Sequence, residues 1–307
     1  YGEYSLICNV SVSDSSVSWY QYVGGVVGND TSYTKIKKCT VEDSTIAASH
    51  WGAGGIIGGA SMGRNDGETF ITECASVNNT ISSKYGAAGG IMGFSGTAPG
   101  GATTSGKVTI RGCYNTSDVS YQTVQMPDTS GVVKYPVGAG GILGHSWKAA
   151  SGKISGNTIQ DSSNFGTITP VGGSRSGKGY AGGIVGYAKG FSISFQGNQT
   201  TPLADVPMKN CYNGGTIKAV GSGDKKYVEL ANLLGYHSVS ASYPAQKKVY
   251  LQQGNTYLEN CLQGTATPRQ NDDYAASVSV AQSIPHIDPC VGPAGGCNCG
   301  CHCSLHN

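Results

Sequence analysis

Eleven cysteines and six histidines are the side chains of this 307-residue chain best suited to chemistry, and they are unevenly spread. Cys290, Cys297, Cys299, Cys301 and Cys303 crowd the C-terminus beside His286, His302 and His306. Three chemistries fit such a cluster. One is a disulfide knot closing the end of a fold. The second is a thiolate and imidazole metal site made by Cys297, Cys299, Cys301, His302 and Cys303. The third is a c-type haem, because Cys297 to Cys301-His302 is a stretched Cys-X2-Cys-His. The Cys-X-Cys run is tighter than a zinc knuckle, and the spacing of ordinary haem attachment is absent. No cofactor is expected apart from that metal. Five is an odd number, so at least one tail cysteine is free, joins another group or bonds a second molecule.

The other six cysteines recur along the chain, mostly after an apolar residue two positions earlier or three. The copies are Leu6-Ile-Cys8, Ile36-Lys-Lys-Cys39, Ile71-Thr-Glu-Cys74, Ile110-Arg-Gly-Cys113, Met208-Lys-Asn-Cys211 and Leu258-Glu-Asn-Cys261, with Ile159-Gln-Asp161 interrupting the series. In stacked strands about 4.8 Å apart, neighbouring members lie within disulfide reach. The pairs Cys8–Cys39, Cys74–Cys113 and Cys211–Cys261 are then open, as is a buried ladder of free thiols.

Acid and base pairs are less suggestive. Asp14, Asp43 and Asp118 fall near the turn after the cysteine, where solvated turn residues account for them. His50 precedes a glycine-rich box, and His145 and His237 follow one; the place after the box is otherwise aromatic at Phe94 and Tyr187. A lone histidine there reads as a turn or surface residue, so no catalytic residue is expected and the chain is not expected to be an enzyme. Asn9, Asn29, Asn78, Asn115 and Asn198 stand in Asn-X-Ser/Thr triplets and are glycosylation candidates. The 18 tyrosines could stack on sugars, although strand and turn positions explain them equally.

The elements that must position these residues are legible as a repeat. A glycine-flanked apolar box appears as Gly24-Gly25-Val26-Val27-Gly28, Gly54-Gly55-Ile56-Ile57-Gly58, Gly89-Gly90-Ile91-Met92-Gly93, Gly140-Gly141-Ile142-Leu143-Gly144 and Gly182-Gly183-Ile184-Val185-Gly186. A degenerate copy is Ala231-Asn232-Leu233-Leu234-Gly235. Spacing varies while the boxes persist, which is how a solenoid accepts insertions in its loops. Those insertions fall between the cysteine strand and the box (Tyr121 to Pro136, Thr169 to Tyr180, Ala219 to Tyr227) or after the box (Gly96 to Gly106, Gly190 to Pro207, Val239 to Gln253). A corner needs positive φ or no side chain, and glycine supplies both. The expectation is an all-β parallel solenoid, right-handed by the crossover preference, of about six or seven coils and about 30–35 Å tall. It spans 1–267, followed by a Cys-rich segment over 268–307.

Composition agrees. There are 48 glycines, charged residues make up only 12%, and net charge is +2 with no Lys/Arg run beyond two. A nucleic-acid partner is not expected, nor is membrane insertion. A low-charge, Cys-containing chain points to an oxidising compartment, hence an extracellular or cell-surface location. The chain starts at Tyr1 without Met, as a processed product would.

The Gly-Gly-Ile-Val-Gly boxes together with segments such as Cys211-Tyr-Asn-Gly-Gly-Thr-Ile217 resemble the GLUG-motif repeats of bacterial and archaeal surface and secreted proteins. The resemblance covers roughly residues 5–265 and is best at Gly140–Gly144, Gly182–Gly186 and Cys211–Ile217; the Cys-rich tail departs from it. It implies a β-helix-like solenoid at the cell surface and no specific chemistry, because the motif consists of structural residues. Three functions remain. The first is a homopolymeric subunit stacking end to end into a filament, sheath or layer, with disulfide reinforcement. Strand-like sequence begins at Ser5-Leu6-Ile7, which leaves little room for a cap on that end. The second is a monomeric adhesin for glycans or a host surface. The third, least favoured, is a polysaccharide-active enzyme.

Overall fold

In a computed structural model, the described residues are 5–30, 33–60, 67–96, 107–122, 125–127, 133–136, 138–147, 157–170, 179–189, 208–209, 211–217, 228–231, 234–238, 258–259 and 262–263. They build an all-β parallel solenoid. Each coil lays one strand, or two, into each of four parallel sheets. The second coil shows the order: Thr34–Lys37 in the first sheet, Thr40–Glu42 in the second, Thr45–Gly54 in the third and Ile57–Ala60 in the fourth. The first and second sheets each hold seven strands, in agreement with six or seven coils. The insertion after Tyr121 adds an antiparallel hairpin, Gln125–Pro127 with Val133–Pro136. The 267/268 boundary and the Cys-rich segment lie outside the described residues.

Register is kept from coil to coil. In the first sheet Ile7, Ile36, Ile71, Ile110 and Ile159 stand opposite one another. In the third, Val17, Ile46, Ile81, Val119, Ile168 and Ile217 do the same. Ile56, Ile91, Ile142 and Ile184 form the column expected of the box: the amides of the first three each donate to the isoleucine carbonyl of the next coil at 3.0–3.1 Å, and all four are fully buried. Burying each such side chain contributes about 1.5–3 kcal/mol.

Corners are made in three ways. Between the first and second sheets the chain passes through a left-handed residue in each of the first five coils: Asn9, Lys38, Glu73, Gly112 and Asp161, with φ of 50–63°. Only one of the five is glycine, although L-residues resist this region by about 1–2 kcal/mol. Charges help to hold the others: Glu73 lies 3.9 Å from Lys37 and 4.0 Å from Lys38, and Asp161 lies 3.2 Å from Arg111.

Between the second and third sheets, Asp14, Asp43 and Asn78 are left-handed in the first three coils. From the fourth coil this turn shortens. Four steps from Ser76 to Thr80 face three from Asn115 to Asp118. Asparagine now makes the turn by itself. Asn115, Asn164 and Asn213 each accept, at Oδ1, the amide two residues on. They also join in a ladder, Asn115 Nδ2 to Asn164 Oδ1 and Asn164 Nδ2 to Asn213 Oδ1, both 2.8 Å.

The third corner is the box. Its glycines are there for space and not for positive φ, which among the described glycines occurs only at Gly96 and Gly112. A Cβ on the first glycine would strike the carbonyl three residues on, as at Gly89 with Met92 O at 1.9 Å. A Cβ on Gly141 would lie 2.1 Å from Gly183 O and 2.2 Å from Asn164 Cγ. On Gly186 it would meet the Ala139 backbone at 2.6 Å. The same crowding applies at Gly55, Gly58, Gly90, Gly93 and Gly144. Box and asparagine corner are thus one contact seen from two sides.

Gly141→Ala should therefore lower stability by about 3 kcal/mol or more, since backbone and not a flexible side chain blocks the methyl. Asn164→Ala should cost about 2–3 kcal/mol by removing the acceptor shared by the Asn115 side-chain amide and Gly166 N. Thermal unfolding of the two variants checks both values.

Candidate functional site

The cysteine column is real, and two of its expected members are misplaced. Cys8 pairs with Lys37, and Ile7, not Leu6, is the isoleucine of the first coil. The cysteine position there belongs to Val10, whose carbonyl receives Thr40 N as the Cys39 carbonyl receives Ala75 N. In the fifth coil the position belongs to Ser162, whose hydroxyl accepts Cys113 N at 3.2 Å. Asp161 instead takes the left-handed corner. The Cys8–Cys39 pairing is accordingly ruled out by register.

Cys39, Cys74 and Cys113 are buried free thiols. Each Sγ approaches a carbonyl two residues back at 3.3–3.4 Å: Lys37, Thr72 and Arg111. Each also approaches an isoleucine carbonyl of the preceding coil. Cys211 Sγ reaches Ile159 O at 3.5 Å in the same way. The adjoining Cys74 thiol, then burial, push the Cys39 thiol far above its ordinary range; Cys113 and burial do the same to Cys74. A thiol held protonated is a poor nucleophile and a poor metal ligand. Cys261 and the tail cluster, Cys290 to Cys303 with His302, lie outside the described residues.

A second feature is aromatic. The residue after the box stacks across coils: Phe94 on His145, centroids 5.2 Å apart, and His145 on Tyr187, 4.5 Å. His145 is fully buried, which corrects the expectation of a turn or surface histidine: its column faces inward, and an imidazole there replaces a ring. In the second coil Gly59 holds this place and the Tyr22 ring fills the gap, 6.1 Å from Phe94. Trp51 closes the cluster at 6.2–6.3 Å from Tyr22 and Phe94, with its backbone at φ 67°. A bulky residue in that region is unusual, and the strain is held by the cluster and by Gly86 opposite. His237 sits one column further on, opposite Ala188.

On the surface, Tyr20, His50 and Tyr85 form a shorter stack, with centroids 4.3 and 5.1 Å apart and Lys84 4.9 Å from the Tyr85 ring. Burial, then the Lys84 charge, lower the His50 pKa from 6.5.

Among the described residues, the carboxylates do not gather with other His, Cys, Asp or Glu side chains into a group of three. Asp14, Asp43 and Asp118 are exposed, as solvated residues should be. The carboxylate that sequence reasoning missed is Asp30, buried at the corner between fourth and first sheets. It accepts hydroxyls from Thr34 at 2.9 Å and Thr69 at 2.5 Å. Further along this column, Asn157 Nδ2 donates to Ser95 and Ser146 at 2.8 and 2.9 Å. Counting two residues past each box finds Asp30, Ala60, Ser95, Ser146 and Ala188, three of them polar. Among the described residues no three His, Cys, Asp or Glu side chains converge to hold a metal. Asn9, Asn29 and Asn78 are exposed. Asn115 is corrected as a glycan acceptor: its amide is buried in the ladder and unreachable in the folded chain. Asn198 lies outside the described residues.

Fold and site together define a parallel β-solenoid whose reactive side chains stack between coils. No family model matches the chain, and no curated protein does. Among solved structures it is similar to a Bacteroides ovatus crystal structure described as "a putative immunoglobulin A1 protease", at 20% identity, covering 84% of this chain and 67% of that one, with a TM-score of 0.45. A likeness of that degree brings no activity with it.

Two outcomes follow. In the native chain Cys39, Cys74 and Cys113 resist iodoacetamide and react after denaturation, as mass mapping will show; Cys74→Ser changes stability by less than about 1 kcal/mol, since Ser162 already fills this column. For His50, the unfolded chain takes up the proton first, so stability holds above pH 6.5 and falls as pH drops below it. Denaturant melts from pH 8 to 5 read this slope, and His50→Gln should flatten it.

Proposed function

We propose that this chain is a non-catalytic, extracellular solenoid of the GLUG-repeat kind, a structural subunit of a surface filament, sheath or layer. One observation supports the reading: among the described residues, the buried side chains that could do chemistry are engaged within the stack of coils. Cys39, Cys74 and Cys113 approach isoleucine carbonyls of the preceding coil, Asn115 and Asn164 form an amide ladder, His145 stands in a column of aromatic rings, and Asp30 accepts from two threonines. Catalysis needs such groups converging at a point where substrate can reach them. A scaffold needs them where they are. The disulfide reinforcement in this reading belongs to the tail cysteines.

The adhesin alternative draws less support. A ring binds sugar through its face, whereas His50 lies between the rings of Tyr20 and Tyr85, tilted by 37° and 40° to them. The stack is built along the solenoid axis and not toward a ligand beside it.

The test is a hydrolysis screen of the purified chain against proteins and neutral and acidic polysaccharides. No turnover is expected above a heat-denatured control. Turnover that disappears in Asp30→Asn, Asp118→Asn or His50→Gln would overturn the scaffold reading.

A further inference from the structure

The sequence holds one Asn-Gly pair, Asn213-Gly214, and the fold sets it in the asparagine ladder of the second corner. In a free chain such a pair modifies itself readily, because a glycine without a side chain lets its amide nitrogen swing onto the asparagine before it. The corner does not ask for that glycine. Thr116 and Phe165 hold the equivalent place in the fourth and fifth coils: Phe165 N donates to Asn115 O as Gly214 N donates to Asn164 O, both at 2.8 Å. A Cβ on Gly214 would first meet the movable rings of Tyr212 and Phe165, at 2.8–3.1 Å.

The fold engages the groups that would react. Gly214 N is held by Asn164 O. Asn213 Oδ1 accepts Gly215 N at 3.2 Å and Asn164 Nδ2 at 2.8 Å, and the residue is fully buried. Asn213 Nδ2 differs, for it is buried without a hydrogen-bond partner.

We propose that Asn213 is a deamidation site that the fold keeps closed and that reacts when the sixth coil lifts off the fifth. Gly214 N gives up its proton and attacks Asn213 Cγ. The Cγ–Nδ2 bond breaks, and ammonia leaves with that proton. Water then opens the succinimide at either carbonyl, giving aspartate or its β-linked isomer. The two products fit the stack differently. Aspartate keeps an oxygen for Gly215 N and Asn164 Nδ2 and removes the unpartnered donor. The β-linked isomer adds a backbone atom at a stacked corner and throws the coil out of register. One product lets the coil close again; the other holds it open. Asn164 has no such freedom, because its own Nδ2 donates to Asn213 Oδ1 and Gly166 O.

The experiment incubates the full 307-residue chain in mildly alkaline buffer, folded and in denaturant, and maps the one-unit mass gain by peptide mass spectrometry. In denaturant, Asn213 should convert faster than Asn115 and Asn164. In the folded chain it should convert at least about tenfold more slowly than in denaturant, as a site that reacts only from an opened state must. Asn164→Ala, confirmed as folded by circular dichroism, removes a bond to Asn213 Oδ1 and should raise the folded-state rate. Asn213→Asp should melt above Asn164→Asp. Equal rates at Asn213 in folded and unfolded chains, or an unchanged rate in Asn164→Ala, overturn the closure. An unfolded chain in which Asn213 converts no faster than Asn115 and Asn164 overturns the site. An Asn213→Asp variant melting no higher than Asn164→Asp overturns the account of the products. The hydrolysis screen is independent of all three.

Discussion

Everything in this molecule depends on backbone hydrogen bonds that join each coil to the next in one register. Parallel strands about 4.8 Å apart place every residue over its counterpart, and a slip of one position would turn each inward isoleucine outward. A residue type is therefore accepted only if it can stand on itself or on the member before it. Isoleucine, asparagine, cysteine and aromatic rings can. Isolated like charges cannot, and the charged corner alternates accordingly, with Lys38 followed by Glu73 and Arg111 beside Asp161.

That constraint explains which parts of the fold were legible in the sequence. Ile56, Ile91, Ile142 and Ile184 are fixed by the tight turn on both sides, so their spacing to the flanking glycines never varies. The asparagine turn obeys the same constraint, because Asn115, Asn164 and Asn213 must each present Oδ1 to the backbone amide two positions later. The cysteine column was less secure. Its position tolerates Val10 and Ser162, since any small side chain fills the corner, and counting cysteines alone slipped the register at Cys8 and Asp161.

The site was legible only in part. His145 looked like a surface residue because composition says nothing about which face of a strand is inward; its alignment with Phe94 and Tyr187 carried the answer, and the inward direction appears only with burial. Asp30 escaped notice because its partners Thr34 and Thr69 come from two coils. Left-handed Lys38, Glu73 and Trp51 were equally hidden, for positive φ was assigned to glycine by habit of chemistry. Here the stack above and below holds these residues in place, and glycine was reserved for crowding.

Insertions show where the constraint relaxes. The link from the fourth sheet to the next first-sheet strand grows from 31–33 after the first coil to 239–257 after the sixth, and the third-sheet strand, continuous in the second and third coils, is interrupted in the first and from the fourth onward. The left-handed corner and the Gly-Gly turn accept no insertion in any described coil. The difference is energetic. Lengthening a loop costs only about 0.6 kcal/mol for each doubling, whereas an extra residue at a stacked corner breaks register above and below. Sequence change is therefore channelled to two edges of the solenoid, while the stacked faces stay uniform.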